Sequence, residues 1–127
     1  MINKDLITVG YLPYPEYVAL LLNSHAILLP YPKNAVCGGI RNKVLEAGYC
    51  GVPIISTKNG ILHINVKEWV HYIPLEGGMH IKDLIKVVND VGSRVSSNMR
   101  LLIINNYSFS NFAREILKVL RQELAGQ

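Results

Sequence analysis

Between Gly38 and Thr57 the only charged residues are Arg41, Lys43 and Glu46, and a Gly38-Gly39 pair stands just ahead of them. A helix opened by two glycines offers unpaired backbone N–H groups and the positive end of its dipole, which suits an anionic or hydroxyl-rich ligand. Lys43 and Glu46 are spaced i, i+3, so they share one helix face. Each residue also has a plainer explanation. Gly38-Gly39 makes an ordinary tight turn, and Lys43 suits either a phosphate or pairing with Glu46. Glu46 fits a solvated helix surface. Arg41 opposes the dipole of the first turn, a small cost that an anion would relieve and that solvation also makes tolerable.

These residues need a scaffold, and the flanking pattern describes one. Ile40–Cys50 reads as the helix, Gly51 as its left-handed cap and Val52–Ser56 as a buried strand. Upstream, Leu6–Val9 is a β-branched run, Pro15 suits the opening of a helix through about Asn23, and Ala26–Leu29 is an apolar strand stopped by Pro30. Ile61–Val66 fits a strand or a helical turn equally. Trp69–Ile73 resembles a strand, followed by a loop over Pro74–His80. Ile81–Val91 has helical spacing, a second helix starting near Ser93 takes in Met99–Ile104, and Ser108 can cap a third from Phe109 to about Leu124. Short buried strands alternating with helices predict an α/β domain over the whole chain, a Rossmann-like three-layer α/β/α arrangement with a mostly parallel sheet of about four strands. Right-handed crossovers then gather the loops Gly10–Tyr14, Tyr31–Gly39 and Thr57–Gly60 on one rim, where ligands of such sheets bind.

Composition narrows the function classes. Of 127 residues half are hydrophobic and 17% charged, which excludes a disordered chain. Apolar runs such as Val18–Leu22 are too short to span a bilayer, and Asn3, Lys4 and Asp5 stand where the apolar core of a signal peptide would be. A net charge of +4 favours nucleotides, phosphates or acidic lipid headgroups as company. The basic residues are dispersed without an aromatic-basic run, which argues against nucleic acid. Cys37 and Cys50 lack metal-ligand spacing and suit free thiols in a cytoplasm better than a disulfide. His25, His63, His71 and His80 are not spaced as a metal set, and no metal is expected. The aspartates Asp5, Asp83 and Asp90 follow no predicted strand, which excludes a phosphoreceiver domain. Phosphate-loop, dinucleotide and nucleophile-elbow motifs are absent.

Taken together, Gly38-Gly39, Asn42-Lys43, Glu46-Ala47, Gly51-Val52-Pro53 and Ser56-Thr57 resemble the donor-site signature of group 1 glycosyltransferases of the two-domain B-type fold. Val9-Gly10, Glu16, Leu20-Leu21, Ser24–Pro30 and Tyr107-Ser108-Phe109 are similar to the flanks of that signature. The resemblance implies a retaining enzyme part that binds a nucleotide-sugar. In it Glu46 receives the ribose hydroxyls, since a carboxylate accepts two hydrogen bonds from a diol. Gly38 and Gly39 let backbone approach the sugar or phosphates, Lys43 and Arg41 face anionic groups, and Thr57 lies at the rim with Asn59 and Gly60. Tyr11 and Tyr14 stack on a base or sugar, or simply pack together. Gly38 stands where many members carry an acid. The chain matches only the later part of the donor domain, so an acceptor domain and an Arg-and-Lys phosphate segment are expected elsewhere. A competing expectation is a non-catalytic module that associates, as a homodimer or with a partner chain, through Phe109, Phe112, Ile116, Leu120 and Leu124. Peripheral contact of the basic surface with an inner membrane is a third.

Overall fold

Pro15 sits in the first turn of α1 (Tyr14–Leu22), where its missing N–H is harmless. The helix stops where side chains take over its last carbonyls: Asn23 Nδ2 donates to Ala19 O at 2.7 Å and Ser24 Oγ to Leu20 O at 2.8 Å. The computed structural model describes residues 7, 9–35, 38–77, 79–107 and 110–125, without the side chains of 110–112, 115 and 125. Of the predicted first strand, Leu6 and Thr8 lie outside the described residues, and Ile7 and Val9 are exposed and in no strand.

The chain next forms β1 (Ile27–Leu29), α2 (Asn42–Tyr49) and β2 (Ile54–Ser56). Val44, Ala47 and Gly48 place their buried side of α2 inward at i, i+3, i+4 spacing. Gly51, at φ +74°, ends the helix, and Val52 N–H returns to Ala47 O at 2.9 Å. That left-handed turn is the cap the sequence predicts. β1 and β2 run parallel with Ile27 opposite Ile54 and Leu29 opposite Ser56. A 3₁₀ turn over Lys58–Ile61 follows.

β3 (Ile73–Pro74) lies parallel to β2 and completes a sheet of order β1-β2-β3, so three strands are present among the described residues rather than about four. The predicted Trp69–Ile73 strand is shifted. A turn holds Trp69 at φ +64° and leaves only a bridge between Glu68 and Tyr72 ahead of β3. Pro74 is tolerated because β3 is an edge strand, with no neighbour on its far side among the described residues.

The two helices expected around Ser93 are one, α3 (Ile81–Asn106). Ser93 does not cap a new start; its carbonyl accepts the Ser96 hydroxyl at 3.2 Å inside the helix. The apolar spacing runs through the point of the expected break, with Leu84, Val95, Met99 and Ile103 all buried. α4 (Ser110–Ala125) closes the chain against α1. The predicted Ser108 cap and Phe109 start lie outside the described residues. Alternate residues of β2 point to opposite sides: Ile54 packs with Val44 and Ala47, and Ile55 with Leu84 and Val95. Among the described residues the molecule is therefore a mixed α/β fold, a small parallel sheet of three strands with four helices.

Candidate functional site

The parallel strands bring the ends of β1 and β2 and the start of α2 to one edge. There the Arg41 guanidinium lies 3.6 Å from the Tyr31 ring centroid. Its Nε and Nη2 donate to Asn59 O at 3.3 and 3.2 Å. Asn59 Nδ2 in turn donates to the carbonyls of Lys33 and Ala35 at 2.9 and 3.1 Å. Thr57 Oγ1 donates to Tyr31 O at 2.6 Å. Arg41, Tyr31, Thr57 and Asn59 thus form one hydrogen-bonded cluster that ties the β1–α2 loop to the turn after β2. A cation over an aromatic face is worth about 0.5–1 kcal/mol at an exposed site. Thr57 and Asn59 are spent on this framework. Arg41 keeps Nη1 beyond it.

The second part of the site lies one turn further along α2. Glu46 is half-buried, and its Oε2 accepts the Tyr14 hydroxyl of α1 at 2.9 Å. Tyr17 and Cys50 stand close enough for the Glu46 charge to raise both of their pKa values, though burial is the larger cause in each case. Burial likewise raises the Glu46 carboxyl above the ordinary range, while the Tyr14 hydrogen bond and the Lys43 charge pull it back. Lys43 itself is exposed on the surface of α2. Among the described residues no buried side-chain oxygen or nitrogen lacks a partner, so Glu46 Oε1, which has none, is open to solvent. Tyr14, the partner of this carboxylate, also lines a cleft of about 480 Å³ together with Val9, Gly10, Tyr11, Leu12, Tyr17 and Leu20.

Gly38 and Gly39 are exposed, and a Cβ added to either would meet nothing within 4 Å. Packing therefore does not require glycine at these two positions, and the loop leaves open space before α2. Gly60 is different: its hydrogen is enclosed by Ser56 and Leu29, so it belongs to the framework. The structure thus brings Arg41 and Thr57 together and joins Glu46 to Tyr14, while Lys43 acts on Glu46 only through space. Sequence reasoning missed Tyr31, whose ring carries Arg41. The signal was its place between Pro30 and Pro32, which stiffen the loop around it.

Among the described residues no group of three or more His, Cys, Asp or Glu is placed to hold a metal ion. Likewise, no described helix is long and apolar enough to cross a membrane. Comparison with family models, curated proteins and solved structures finds no significant match.

Proposed function

We propose that this chain binds the nucleotide part of a nucleotide-sugar, as the donor-binding portion of a retaining glycosyltransferase. The observation that carries this reading is Glu46: a half-buried carboxylate with one oxygen held by Tyr14 and the other open, its partner Tyr14 lining a cleft with Tyr11 and Tyr17. A vicinal diol can donate both of its hydroxyls to such a carboxylate. Arg41, held against Tyr31 with Nη1 left over, and Lys43 supply positive charge near the diphosphate. Gly38 and Gly39 allow its close approach. The effect on reaction would be charge stabilisation of the leaving nucleotide diphosphate rather than attack by a side chain.

The finer architecture belongs to the same proposal: a Rossmann-like three-layer fold, with the acceptor held by a separate domain or chain. Titration calorimetry with uridine diphosphate and guanosine diphosphate tests the reading. One of the two binds the wild type, and Glu46→Ala abolishes the heat. A chain that binds neither at millimolar concentration has no working donor site.

A second reading has its own observation. On α4, Leu117, Leu120 and Leu124 recur at i, i+3, i+7 and are 50%, 42% and 71% exposed. A helix face of three uncovered leucines suits association with a second copy of the chain. The two readings are compatible, since the leucines and Glu46 lie on different helices.

A further inference from the structure

We infer that Tyr14 is a positioning residue for donor binding, its hydroxyl aiming the Glu46 carboxylate at the ribose diol; this rests on the donor-site reading above. The Tyr14–Glu46 hydrogen bond of 2.9 Å joins residues 32 apart in sequence and ties α1 to α2. A glutamate side chain has three rotatable bonds, so a carboxylate on an exposed helix face samples many directions. Here Oε2 is fixed by Tyr14, which leaves one defined direction for Oε1. A carboxylate offers about four lone-pair sites, so one bond from Tyr14 leaves room for both hydroxyls of a diol. Tyr14 also lines the 480 Å³ cleft, so the residue that orients the carboxylate is part of the wall a ligand would meet.

The alternative geometry, in which Tyr14 occupies the ligand's place and must leave, would need both lone pairs of Oε2 for the ligand. The free Oε1 makes that unnecessary. The groups facing Glu46 are Tyr14 and Tyr17 of α1, and Lys43 and Cys50 on its own side; Arg100 of α3 acts on Cys50 in turn. Of these, Tyr14 donates a hydrogen bond to the charged form, and Lys43 favours that form by its charge. Removing the Tyr14 hydroxyl therefore makes the carboxyl protonate at higher pH. Binding that needs ionised Glu46 is lost as pH falls through that titration, so the acid limb of the binding profile moves to higher pH.

The test is Tyr14→Phe in the full chain, with uridine diphosphate and guanosine diphosphate as probes. Calorimetry across acid pH is paired with ¹³C NMR titration of the Glu46 carboxyl in the ligand-free protein. Expected are a Glu46 titration displaced to higher pH, an acid limb displaced with it, and affinity at pH 7 weakened by up to about tenfold. Equal or tighter binding in Tyr14→Phe overturns the assignment, as does an unmoved Glu46 titration. Loss of the folded state by circular dichroism would make the bond a scaffold contact and overturn it too. A wild type that binds neither nucleotide overturns the donor-site reading, and the assignment with it. That failure is told apart because it shows in the wild type before any substitution.

Discussion

The Cys50 thiol closes α2 one turn beyond Glu46, and burial, helped by the Glu46 charge and opposed by Arg100, pushes its pKa up to about 11. Only the thiolate is a nucleophile. A thiol titrating near 11 is about a hundredfold poorer in thiolate at pH 8 than an ordinary cysteine. Iodoacetamide at pH 8 should therefore modify the Cys50 peptide at least about tenfold more slowly in the native chain than in urea, the lost thiolate being partly offset by the greater nucleophilicity of a higher-pKa thiol, as read by mass spectrometry. Equal rates in the two states would mean that Cys50 is not shielded as described. The same burial acts on Glu46 in the opposite functional sense: it raises the value of each hydrogen bond the carboxylate accepts, because water competes less for it. Residue chemistry at this end of α2 is thus set by how much α1 covers it. Glu46 was legible from its neighbours in sequence, but the Tyr14 hydroxyl was not. Its partner lies 32 residues away, and nothing in a tyrosine's local context says which carboxylate it will meet.

Helix α2 can position Glu46 only if it is itself fixed, and its anchor is the close approach to α3. A Cβ on Gly48 would stand 2.9 Å from Met99 Cγ and would also collide with Ile103 Cδ1. On an open helix surface Gly→Ala stabilises by about 1 kcal/mol through propensity. At Gly48 the sign reverses, and Gly48→Ala should destabilise by about 1–3 kcal/mol through overpacking. Urea denaturation checks this, with Gly39→Ala as the comparison, where an added Cβ meets nothing within 4 Å. A Gly48→Ala chain as stable as wild type would mean that α2 and α3 are further apart than described. At this scale the sequence was informative where the signal is local. Pro15 at the opening of α1 and the Gly51 cap of α2 follow from neighbouring residues. It misled at Ser93, where a good capping residue sits inside a helix whose apolar spacing continues from Leu84 through Ile103. It also misplaced the strand near Trp69, because the aromatic run favours β structure locally while the turn at residues 67–71 is set by the Tyr72 carbonyl receiving Trp69 N–H at 2.8 Å.

At the scale of the whole molecule, α4 sets how the chain meets others. The expected apolar stripe included Ile116, Leu120 and Leu124; the residue of α4 buried against Val18 of α1 is Val119. The cluster around Val18 covers only a narrow face of α4, so Ile116 and Val119 go inward and the adjoining leucines stay outside. Leu120→Glu places a charge in that outer face without touching the core, so folding stability should change by no more than about 0.5 kcal/mol. Association should respond strongly, because a buried unpaired carboxylate at the centre of a leucine contact costs several kcal/mol. Sedimentation equilibrium of the full chain is expected to show a concentration-dependent dimer for the wild type and a monomer for Leu120→Glu. Nucleotide binding measured on the same samples should be equal in both, since Leu120 takes no part in the Tyr14–Glu46 bond or in the lining of the cleft. A wild type that stays monomeric at high concentration rejects association through α4 and leaves the donor-site reading standing. A Leu120→Glu dimer as tight as wild type would place the contact on another surface.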